Sequence, residues 1–566
     1  MDISGKKLIV KALEEEGVDT IFGYPGGMVT DLLDEIYKTD RLRMVLARHE
    51  QALVHEAEGY ARATGKPGVC LVTSGPGATN TITGIADARY DSIPLVVISG
   101  QVSQGLIGND AFQELDFIGM TRGIVKWGIT VRNREDLGRY LKMAFYIATT
   151  GKPGPVILDI PKDIQIATGD PEYPSSVNIR GYKPKDDAHV GQLKKAFKLL
   201  KGAKRPLILA GGGIHISHAE KDLRLFAESL QIPVVTTVMG KGDLPDNHPL
   251  YIGNSGMHGR FAANQAVLNC DVLFSIGSRF SDRITGDLDT YVNDAKIIHV
   301  DIDTAAIHKN VQVDIPIVAD AKKALKKLRD WAQGTEPIDT SAWMEEIKAW
   351  DAEHPLIMPG KKRSLNPQTI MESVNEIFPK GIVVTDVGQH QMWAAQFIEA
   401  NENKRMITSG GLGTMGFGFP AAIGAKIGAP RERVICITGD GGFQMNMQEA
   451  AVAVREKAPI VILVFNNGVL GMVRQFQNLF YGKRYMLTDL CDPNDRESYV
   501  PDFIKWADVY GIDAIRVKSE EEIIPALQTA YKNKDKSTLI EFIISPDELV
   551  FPMVKGGSSM SEMILR

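Results

Sequence analysis

Short apolar runs alternate with helix-like segments along nearly the whole chain. Val434 to Thr438 and Ile460 to Phe465 are apolar runs of strand length, and Asn446 to Glu456 between them has the pattern of a helix. Apolar runs of this kind are typical of strands buried on both faces of a parallel sheet. The pattern predicts an α/β fold in which parallel strands and helices alternate along the sequence.

The alternation recurs in three blocks, each of the size expected for one domain. A turn-rich stretch from Gly169 to Pro184 separates the first two, and a polar, helix-prone segment from Gly334 to about Asn366 precedes the third. We therefore expect three doubly wound parallel-sheet domains, at residues 1–170, 190–335 and 365–550. Strands in the first two are expected at Leu95 to Ser99, Val156 to Asp159, Pro206 to Leu209, Pro233 to Thr237, Val272 to Ile276 and Ile297 to Val300.

Composition and charge exclude several classes of protein. The 566 residues carry a net charge of −6 without a basic cluster, so a nucleic-acid partner is not expected. No apolar run reaches the roughly 18 residues of a membrane span, and no signal peptide precedes the first helical pattern. The cysteines have neither disulfide-framework nor metal-ligand spacing: Cys70, Cys270, Cys436 and Cys491. We expect a cytoplasmic protein in a reducing compartment.

A Gly-Asp-Gly segment followed by an asparagine pair predicts a magnesium site. Asp440 follows one expected strand and Asn467 the next, so both lie where open α/β sheets bind ligands. With the backbone carbonyl of Val469 they supply the hard oxygen donors that a diphosphate-bound Mg²⁺ ion takes. The alternative is an ordinary turn beside a chance asparagine pair. The spacing and the strand context favour a thiamine diphosphate site.

Glu50 lies at another expected strand end, after the apolar run Met44 to Ala47 and before a helical pattern over Ala52 to Thr64. Gly65 and Pro67 end that helix. An acid in the first turn of a helix is also favoured by the helix dipole alone, which is the alternative interpretation. A thiamine diphosphate enzyme needs one carboxylate that bonds the pyrimidine ring of the cofactor. Glu50 is the candidate for this role.

Further motifs resemble those of one family, the catalytic large subunit of acetohydroxyacid synthase, also called acetolactate synthase, over nearly the whole chain. They are Phe22-Gly23-Tyr24-Pro25-Gly26-Gly27, Arg48-His49-Glu50-Gln51, Ser74-Gly75-Pro76-Gly77-Ala78-Thr79-Asn80, Ala111-Phe112-Gln113-Glu114, Val387-Gly388-Gln389-His390-Gln391-Met392-Trp393 and Gly411-Leu412-Gly413-Thr414-Met415-Gly416. The resemblance implies a thiamine diphosphate-binding fold with a central FAD-binding domain. It also implies a cofactor held between the first domain of one subunit and the third of another, hence a homodimer or tetramer. Whether a small regulatory subunit binds is left open.

The resemblance implies roles for residues of the thiamine diphosphate site. Glu50 would activate the cofactor and Met415 would bend it. Gln113 and Gly27 would face the reacting carbon, and Lys126 is a further catalytic candidate. The cofactor would also contact Gly388, Gln389, His390, Gly413, Gly441 and Gly442.

The central block resembles the FAD-binding domain of the anabolic members of this family. The residues that would bind FAD are Lys152, Gly211, Gly212, Gly213, Met257, His258, Gly259, Arg279, Arg283, Asp301, Ile302 and Asp320. Glycines after a strand are also needed for close strand–helix packing, and Ser281 stands where an aspartate is common in the family. A fermentative enzyme without FAD and a pyruvate oxidase-like flavoenzyme therefore remain alternatives. A non-catalytic module is disfavoured because Glu50, Asp440 and Asn467 are all present.

The resemblance also implies the reaction. Pyruvate would be decarboxylated on thiamine diphosphate, and its hydroxyethyl unit ligated to pyruvate or 2-ketobutyrate, giving acetolactate or acetohydroxybutyrate in branched-chain amino-acid biosynthesis. Substrates would be bound by Phe112, Met257, Arg279, Met472 and Phe476. Arg279 offers a bidentate fork to the carboxylate of the second keto acid; its alternative role is a surface ion pair. Phe476 stands where the family usually has tryptophan, and its alternative role is packing.

Overall fold

Three six-stranded sheets form the framework of the computed structural model, which describes residues 2–292, 294–358, 364–492, 494–495 and 499–566. All neighbouring strands within these sheets run parallel. The expected fold class, three doubly wound parallel-sheet domains, is confirmed. No helix within these ranges is long and apolar enough to cross a bilayer.

The first domain contains a short antiparallel pair, β1 (Ile3–Ser4) with β8 (Thr168–Gly169), besides its sheet. The sheet strands are β2 (Thr20–Gly23), β3 (Arg43–Leu46), β4 (Gly68–Val72), β5 (Leu95–Gln101), β6 (Trp127–Thr130) and β7 (Pro155–Pro161), in the order β3-β2-β4-β5-β7-β6. The helices are α1 (Gly5–Glu15), α2 (Thr30–Ile36), α3 (Glu50–Thr64), α4 (Pro76–Thr79), α5 (Ile82–Asp91), α6 (Phe117–Thr121), α7 (Leu137–Thr149) and α8 (Lys162–Ile166).

The second domain has a sheet in the order β11-β10-β9-β12-β13-β14. These strands are β9 (Pro206–Ala210), β10 (Val234–Thr236), β11 (Tyr251–Asn254), β12 (Val272–Ile276), β13 (Lys296–Asp301) and β14 (Ile315–Val318). The helices are α9 (Val190–Lys201), α10 (Gly213–Ser217), α11 (Glu220–Leu230), α12 (Phe261–Asn269), α13 (Asp282–Thr285), α14 (Ala321–Ala332) and α15 (Ser341–Glu353). The sequence interpretation missed β11 and β14, which are edge strands and only partly buried. The proline in β14 also argues against a strand when it is met in a sequence.

The third domain has a sheet in the order β16-β15-β17-β18-β20-β19. The strands are β15 (Gly381–Thr385), β16 (Lys404–Thr408), β17 (Val434–Gly439), β18 (Val461–Asn466), β19 (Asp513–Val517) and β20 (Thr538–Ile543). The helices are α16 (Pro367–Ile377), α17 (Gln389–Phe397), α18 (Gly418–Gly428), α19 (Asp440–Asn446), α20 (Ala450–Arg455), α21 (Gly471–Phe480), α22 (Phe503–Val509) and α23 (Ile523–Lys532).

The helix expected from Asn446 to Glu456 is placed differently in the structure. Helical structure begins six positions earlier, with α19, and a 3₁₀ turn at Met447–Glu449 separates α19 from α20. The sequence interpretation was wrong because it placed the start of the helix after the glycines that follow Asp440. They lie inside the first turn of α19, where a Cβ on Gly442 would come within 2.6 Å of the carboxylate of Asp386. Close packing, not a loop conformation, requires this glycine.

The first and third domains pack through a direct backbone contact between α3 and α18. A Cβ on Gly59 would lie 1.9 Å from the carbonyl oxygen of Ala421, and one on Gly424 would lie 1.7 Å from that of Glu56. Only glycine permits this approach at either position. A single hydrophobic cluster therefore extends from Phe22 in the first domain to side chains of the third.

Each sheet has one point where the chain changes direction. In the sheet orders, β2 lies beside β4, β9 beside β12, and β15 beside β17, and the connections from each pair lead to opposite sides. Such a switch point leaves a crevice at the carboxyl ends of the two strands, where open α/β sheets bind ligands. The predicted site residues after these strands are therefore brought to crevices by topology alone.

Candidate active site

The residues predicted to hold a diphosphate lie at the switch point between β15 and β17. Gly388 follows β15 with a φ of 149°. A Cβ there would lie 2.9 Å from the ring of His390, and a Cβ on Gly439 would be equally close. The ring thus fills the crevice between two glycines. Its Nε2 atom is buried without a partner, and burial lowers the pKa of His390 to about 3. A neutral ring with an unsatisfied nitrogen suits a polar ligand group.

Asp440 is the first residue of α19 and is almost fully buried. Its Oδ2 atom accepts hydrogen bonds from the backbone N–H of Gly468 (3.0 Å) and from the hydroxyl of Tyr499 (3.1 Å). Burial raises the pKa of Asp440 to about 7, and among the described residues no lysine or arginine pairs with it. A buried carboxylate without a counter-charge fits a divalent cation.

Asn467 and Val469 lie on the loop after β18, beside Asp440. Asn467 Oδ1 accepts the N–H of Val469 (3.1 Å), and its Nδ2 donates to Oε1 of Gln389 (3.3 Å). The backbone bonds of this loop are made by residues 468 and 470, so the carbonyl of Val469 accepts none within the described chain. One carboxylate, one amide oxygen and one free carbonyl are the donor types that Mg²⁺ takes.

Met415 lies on a loop that is held from both sides by buried carboxylates. Asp386 accepts the backbone N–H groups of residues 416 and 418, each at 3.0 Å. On the other side Asp87, from the first domain, accepts the hydroxyl of Thr414 at 2.7 Å. Gly413 supplies the positive φ of 74° that the turn before Met415 requires. The position of Met415 is thus fixed by two domains.

The residues predicted in the first domain surround the carboxyl end of its own sheet. Glu50 is the first residue of α3 and is buried, and its Oε2 atom accepts a hydrogen bond from Asn80 at 2.9 Å. Gln113 has a φ of 61° and packs on Gly75. Space for a side chain is open at Gly27, and Phe112 is 85% exposed. This edge of the first domain is therefore open, and it carries the first-domain residues of the predicted active site.

The two halves of the predicted active site do not meet within one chain. In the described part of the protein, no hydrogen bond or ion pair joins Glu50, Gln113 or Gly27 to the residues around Asp440. Neither Glu50 nor Phe112 lines the large cavity between the central and third domains.

One cavity of about 2050 Å³ connects the central domain to the third domain. It is larger than the roughly 300 to 1,000 Å³ of an ordinary small-molecule pocket. The predicted residues that line it are Lys152, Gly212, Gly213, Met257, His258, Gly259, Arg279, Arg283, Asp301, Ile302, Asp320, Gly388, Gly413, Met415, Met472 and Phe476. Residues predicted to bind a dinucleotide and residues predicted to bind substrate therefore share one space.

The glycines after β9 have two different functions in this cavity. A Cβ on Gly211 would lie 2.5 Å from the carbonyl of Gly277, and one on Gly213 would lie 2.6 Å from its Cα. These two glycines let the ends of β9 and β12 approach each other. Close packing, the alternative role of these glycines, is therefore observed. Gly212 and Gly213 also face the cavity, whereas Gly211 does not line it.

Other polar residues of the cavity already hold neighbouring elements together. Lys152 pairs with Asp303 at 3.1 Å and joins the first domain to the second. Asp320 caps α14 through the N–H of Lys323 at 3.0 Å. Burial raises the pKa of Asp301 to about 6. These residues fix the shape of the cavity as well as lining it.

Arg279 enters the cavity with its charge unpaired. Its guanidinium stacks on the ring of Tyr90, 5.4 Å from the ring centre, and lies against Gly411. The described residues include no acid in ion-pair distance of it, so the alternative of a surface ion pair is not observed. Met257 and Phe476 line the same cavity. A cation and apolar side chains therefore line the same cavity as Met415.

Lys126 is placed away from these groups. Its ammonium donates to the carbonyls of Ile147 and Thr150 and to the hydroxyl of Tyr182 (3.2 Å). These contacts cap the end of α7, and burial lowers the pKa of Lys126 to about 8. The geometry gives Lys126 a structural function, and its catalytic role stays a prediction.

Comparisons with known proteins agree with this arrangement. Residues 3–120 match the family described as thiamine pyrophosphate enzyme, N-terminal TPP binding domain; residues 193–328 match its central domain, and residues 386–542 its C-terminal TPP binding domain. The chain is 47% identical to the acetolactate synthase large subunit of Corynebacterium glutamicum, over 99% of this chain and 90% of the relative. The chain belongs to the acetolactate synthase family.

Two further members of the acetolactate synthase family align over nearly their full length. The large subunit of Buchnera aphidicola is 45% identical over 100% of this chain and 99% of its own. That of Haemophilus influenzae is 44% identical over 100% of this chain and 98% of its own. The resemblance inferred from sequence motifs is confirmed.

In this acetolactate synthase family member, Tyr499 is a site residue that the sequence did not indicate. Its hydroxyl donates to Asp440 and accepts from Gln444 (2.8 Å), so it fixes the orientation of the carboxylate. No motif marks this tyrosine, because it reaches Asp440 from a distant part of the chain.

We expect Tyr499→Phe to weaken Mg²⁺ binding about 10- to 100-fold, the usual effect of losing a group that orients a metal ligand. Titration of the cofactor-free protein with Mg²⁺ and thiamine diphosphate would measure this. Tyr531→Phe, a partly exposed tyrosine on α23, is the matched control. Equal metal affinities for both variants would contradict the assignment.

Proposed function

We propose that the protein decarboxylates pyruvate and ligates the resulting two-carbon unit to a second 2-keto acid, giving 2-acetolactate or 2-aceto-2-hydroxybutyrate for branched-chain amino-acid biosynthesis. The observation that carries the proposal is the shared cavity, which is lined by Arg279 and Phe476 as well as by Met415. An unpaired guanidinium suits the carboxylate of a keto acid. The names of the relatives support the same reaction.

Thiamine diphosphate, when bound, supplies the electron sink for decarboxylation and ligation. The residues of this chain bind and orient the reactants. Glu50 would provide the carboxylate that bonds the pyrimidine ring of thiamine diphosphate, and Met415 would pack against the cofactor. Arg279 holds the carboxylate of the second keto acid. Apolar side chains around it exclude water, which would otherwise divert the intermediate to acetaldehyde.

We propose Mg²⁺ and FAD as further cofactors. Asp440, Asn467 and Val469 offer the oxygen donors for Mg²⁺, and the uncompensated burial of Asp440 supports a cation at this place. The length of the cavity, from Asp320 in the central domain to Met415, supports a dinucleotide. Ser281 lines this cavity in place of the aspartate that is common in the family.

We propose a cytoplasmic homo-oligomer, a dimer or tetramer, as the active form. Among the described residues, no hydrogen bond or ion pair joins Glu50 to the residues around Asp440 within one chain, although both would be needed to bind thiamine diphosphate. This separation supports an active site shared between two chains. The relatives carry the name large subunit, which supports a small regulatory subunit as a partner. All four cysteines are free, in keeping with a reducing compartment.

Product analysis tests the reaction. Protein reconstituted with thiamine diphosphate, Mg²⁺ and FAD is given pyruvate, with and without 2-ketobutyrate. Acetolactate alone, and acetohydroxybutyrate when both acids are present, are the expected products. Acetate with bleaching of the flavin would indicate a pyruvate oxidase instead, and full activity without FAD would indicate the fermentative type.

Phe476 provides a specificity test. It lies on α21, packs on Phe480 with ring centres 5.9 Å apart, and lines the cavity with Met257 and Met472. A smaller ring than tryptophan contacts the extra methyl of 2-ketobutyrate less closely, and such a contact contributes roughly 1 to 3 kcal/mol of discrimination. We expect Phe476→Trp to raise the preference for 2-ketobutyrate over pyruvate.

Competition between the two keto acids measures this preference as a product ratio. Phe197→Trp makes the same change on α9, where the ring packs on Trp331 and does not line the cavity, and is the matched control. An unchanged ratio in Phe476→Trp would show that the side chain does not set specificity.

A further inference from the structure

Two buried acids of the first domain lie beside the loop that carries Met415. Asp87 on α5 and Glu58 on α3 are both inaccessible to solvent. Asp87 Oδ1 accepts the hydroxyls of Ser409 and Thr414, and Ser409 Oγ in turn accepts the N–H of Thr414 (2.9 Å) and of residue 413 (3.1 Å). The third-domain loop is therefore anchored on one carboxylate of the first domain.

The second oxygen of each acid is buried without a hydrogen bond. Glu58 Oε2 and Asp87 Oδ2 have no hydrogen-bond donor among the described residues. Together with His55, the two acids place one donor atom each within 4.8 Å of one another. Two ionised carboxylates at this distance in a buried site repel strongly, so one proton between them satisfies both oxygens.

The hydrogen bonds continue from Glu58 to the start of α3. His55 Nδ1 lies 2.9 Å from Glu58 Oε1, and His55 Nε2 lies 3.4 Å from Nε2 of Gln51. With the proton on Nδ1, the ring donates to Glu58 and accepts from Gln51. Gln51 directly follows Glu50, so this chain of bonds joins the helix end that presents Glu50 to the loop that presents Met415.

We propose that Glu58 and Asp87 form a proton-sharing acid pair that positions the Met415 loop for thiamine diphosphate, acting across the contact between the first and third domains. Both acids are positioning residues, since neither touches the cofactor. The inference rests on the role of Met415 in the proposed function. It does not depend on which product the enzyme releases.

The surroundings favour a proton over a metal ion in this cluster. The groups that face the pair are His55 and Arg62 on α3, Asp91 on α5, and Cys70 on β4. Arg62 lies 4.0 Å from Glu58 Oε2 and pairs with Asp91 at 2.9 Å, so a positive charge is already present. Burial and the neighbouring Asp87 raise the pKa of Glu58 well above its usual range.

The pH dependence follows from this raised pKa. Between the ordinary pKa of glutamate and the raised one, the folded protein holds a proton that the unfolded chain releases. The free energy of unfolding contributed by Glu58 therefore falls as the pH rises through that window. Glu58→Gln removes the titration, so the stability of this variant should decline less steeply with pH than that of the wild type.

Binding of thiamine diphosphate with Mg²⁺, measured by calorimetry and near-ultraviolet circular dichroism without turnover, tests the proposal. We expect Asp87→Ala and Glu58→Met to weaken binding about tenfold or more, since each removes a buried hydrogen bond to a charged group. Glu58→Gln keeps a donor to Asp87 and an acceptor for His55, and its affinity should stay within about twofold of wild type.

Asp159→Ala is the matched control. Asp159 is buried in the first domain and accepts from Ser99, Gln101 and Thr130, without contact to the Met415 loop. Its loss should lower stability and leave cofactor affinity unchanged. If Asp87→Ala does not fold, Thr414→Val removes one donor to Asp87 and should weaken binding alone.

Three results would overturn the proposal. Glu58→Gln could bind the cofactor as poorly as Glu58→Met, which would mean that the acid acts as an ion. Asp87→Ala, or Thr414→Val in its place, could bind as well as Asp159→Ala. Metal analysis could find one ion per wild-type chain that Glu58→Gln lacks, which would make the cluster a metal site.

Discussion

Glu50→Gln should lower turnover of pyruvate by about 10²- to 10⁴-fold, the usual contribution of a group that acts in proton transfer. Glu50 begins α3 and is oriented by Asn80, so the shape of the site is set before the cofactor binds. Glutamine keeps this shape and the hydrogen bond. It would not supply the carboxylate that the pyrimidine ring of thiamine diphosphate would need. Steady-state kinetics with cofactor in excess measures the loss.

The matched control is Glu35→Gln, the same change at a glutamate of α2 in the same domain, where the side chain pairs with Lys38. It should leave turnover unchanged. Both variants should unfold at wild-type temperatures and bind thiamine diphosphate. Near-normal turnover in Glu50→Gln would remove this carboxylate from the mechanism.

Asp440→Ala should raise the requirements for Mg²⁺ and for thiamine diphosphate together, each by more than about 100-fold. The ion would bridge the protein and the diphosphate, so losing one ligand weakens both partners. Among the described residues, no lysine or arginine pairs with this buried carboxylate. In the absence of a metal ion, its negative charge therefore destabilises the fold. The metal-free variant should therefore be at least as stable as the metal-free wild type.

Thermal unfolding with and without Mg²⁺ and thiamine diphosphate separates these effects. The wild type should be stabilised by the pair of ligands, and Asp440→Ala should not. Asp535→Ala, at an exposed position of the same domain, is the control and should respond as the wild type does. A variant at Asp440 that binds the cofactor normally would show that the metal lies elsewhere.

The fold class was predictable because the central strands of each sheet are buried on both faces and form continuous apolar runs. The run from Val272 to Ile276 coincides with β12. The edge strand β14 was missed because a proline interrupts its short apolar run and three of its four residues are only partly buried. The start of α19 was missed because glycine lowers helix propensity, whereas tertiary packing decides its use after Asp440. Domain boundaries stay predictions.

The candidate site was predictable where function requires residues in a short motif, as at Gly388 or Asp440. It was not predictable where a side chain arrives from elsewhere in the sequence. Tyr499 reaches Asp440 through the fold of the third domain, and Asp87 reaches Thr414 only because the first and third domains pack together. The sequence alone also does not distinguish a lysine that caps a helix, as Lys126 does, from a catalytic lysine.

The backbone contact between Gly59 and Gly424 has a consequence for synthesis of the chain. Roughly 360 residues separate the two glycines, so at about 5 to 20 residues per second α18 leaves the ribosome some 20 to 70 s after α3. Throughout that interval the face of α3 that will meet α18 has no partner, although the central domain can already fold. The first domain therefore waits, with an apolar helix face exposed, longer than any other part of the protein, and its yield during expression should be the most sensitive to temperature and to chaperones.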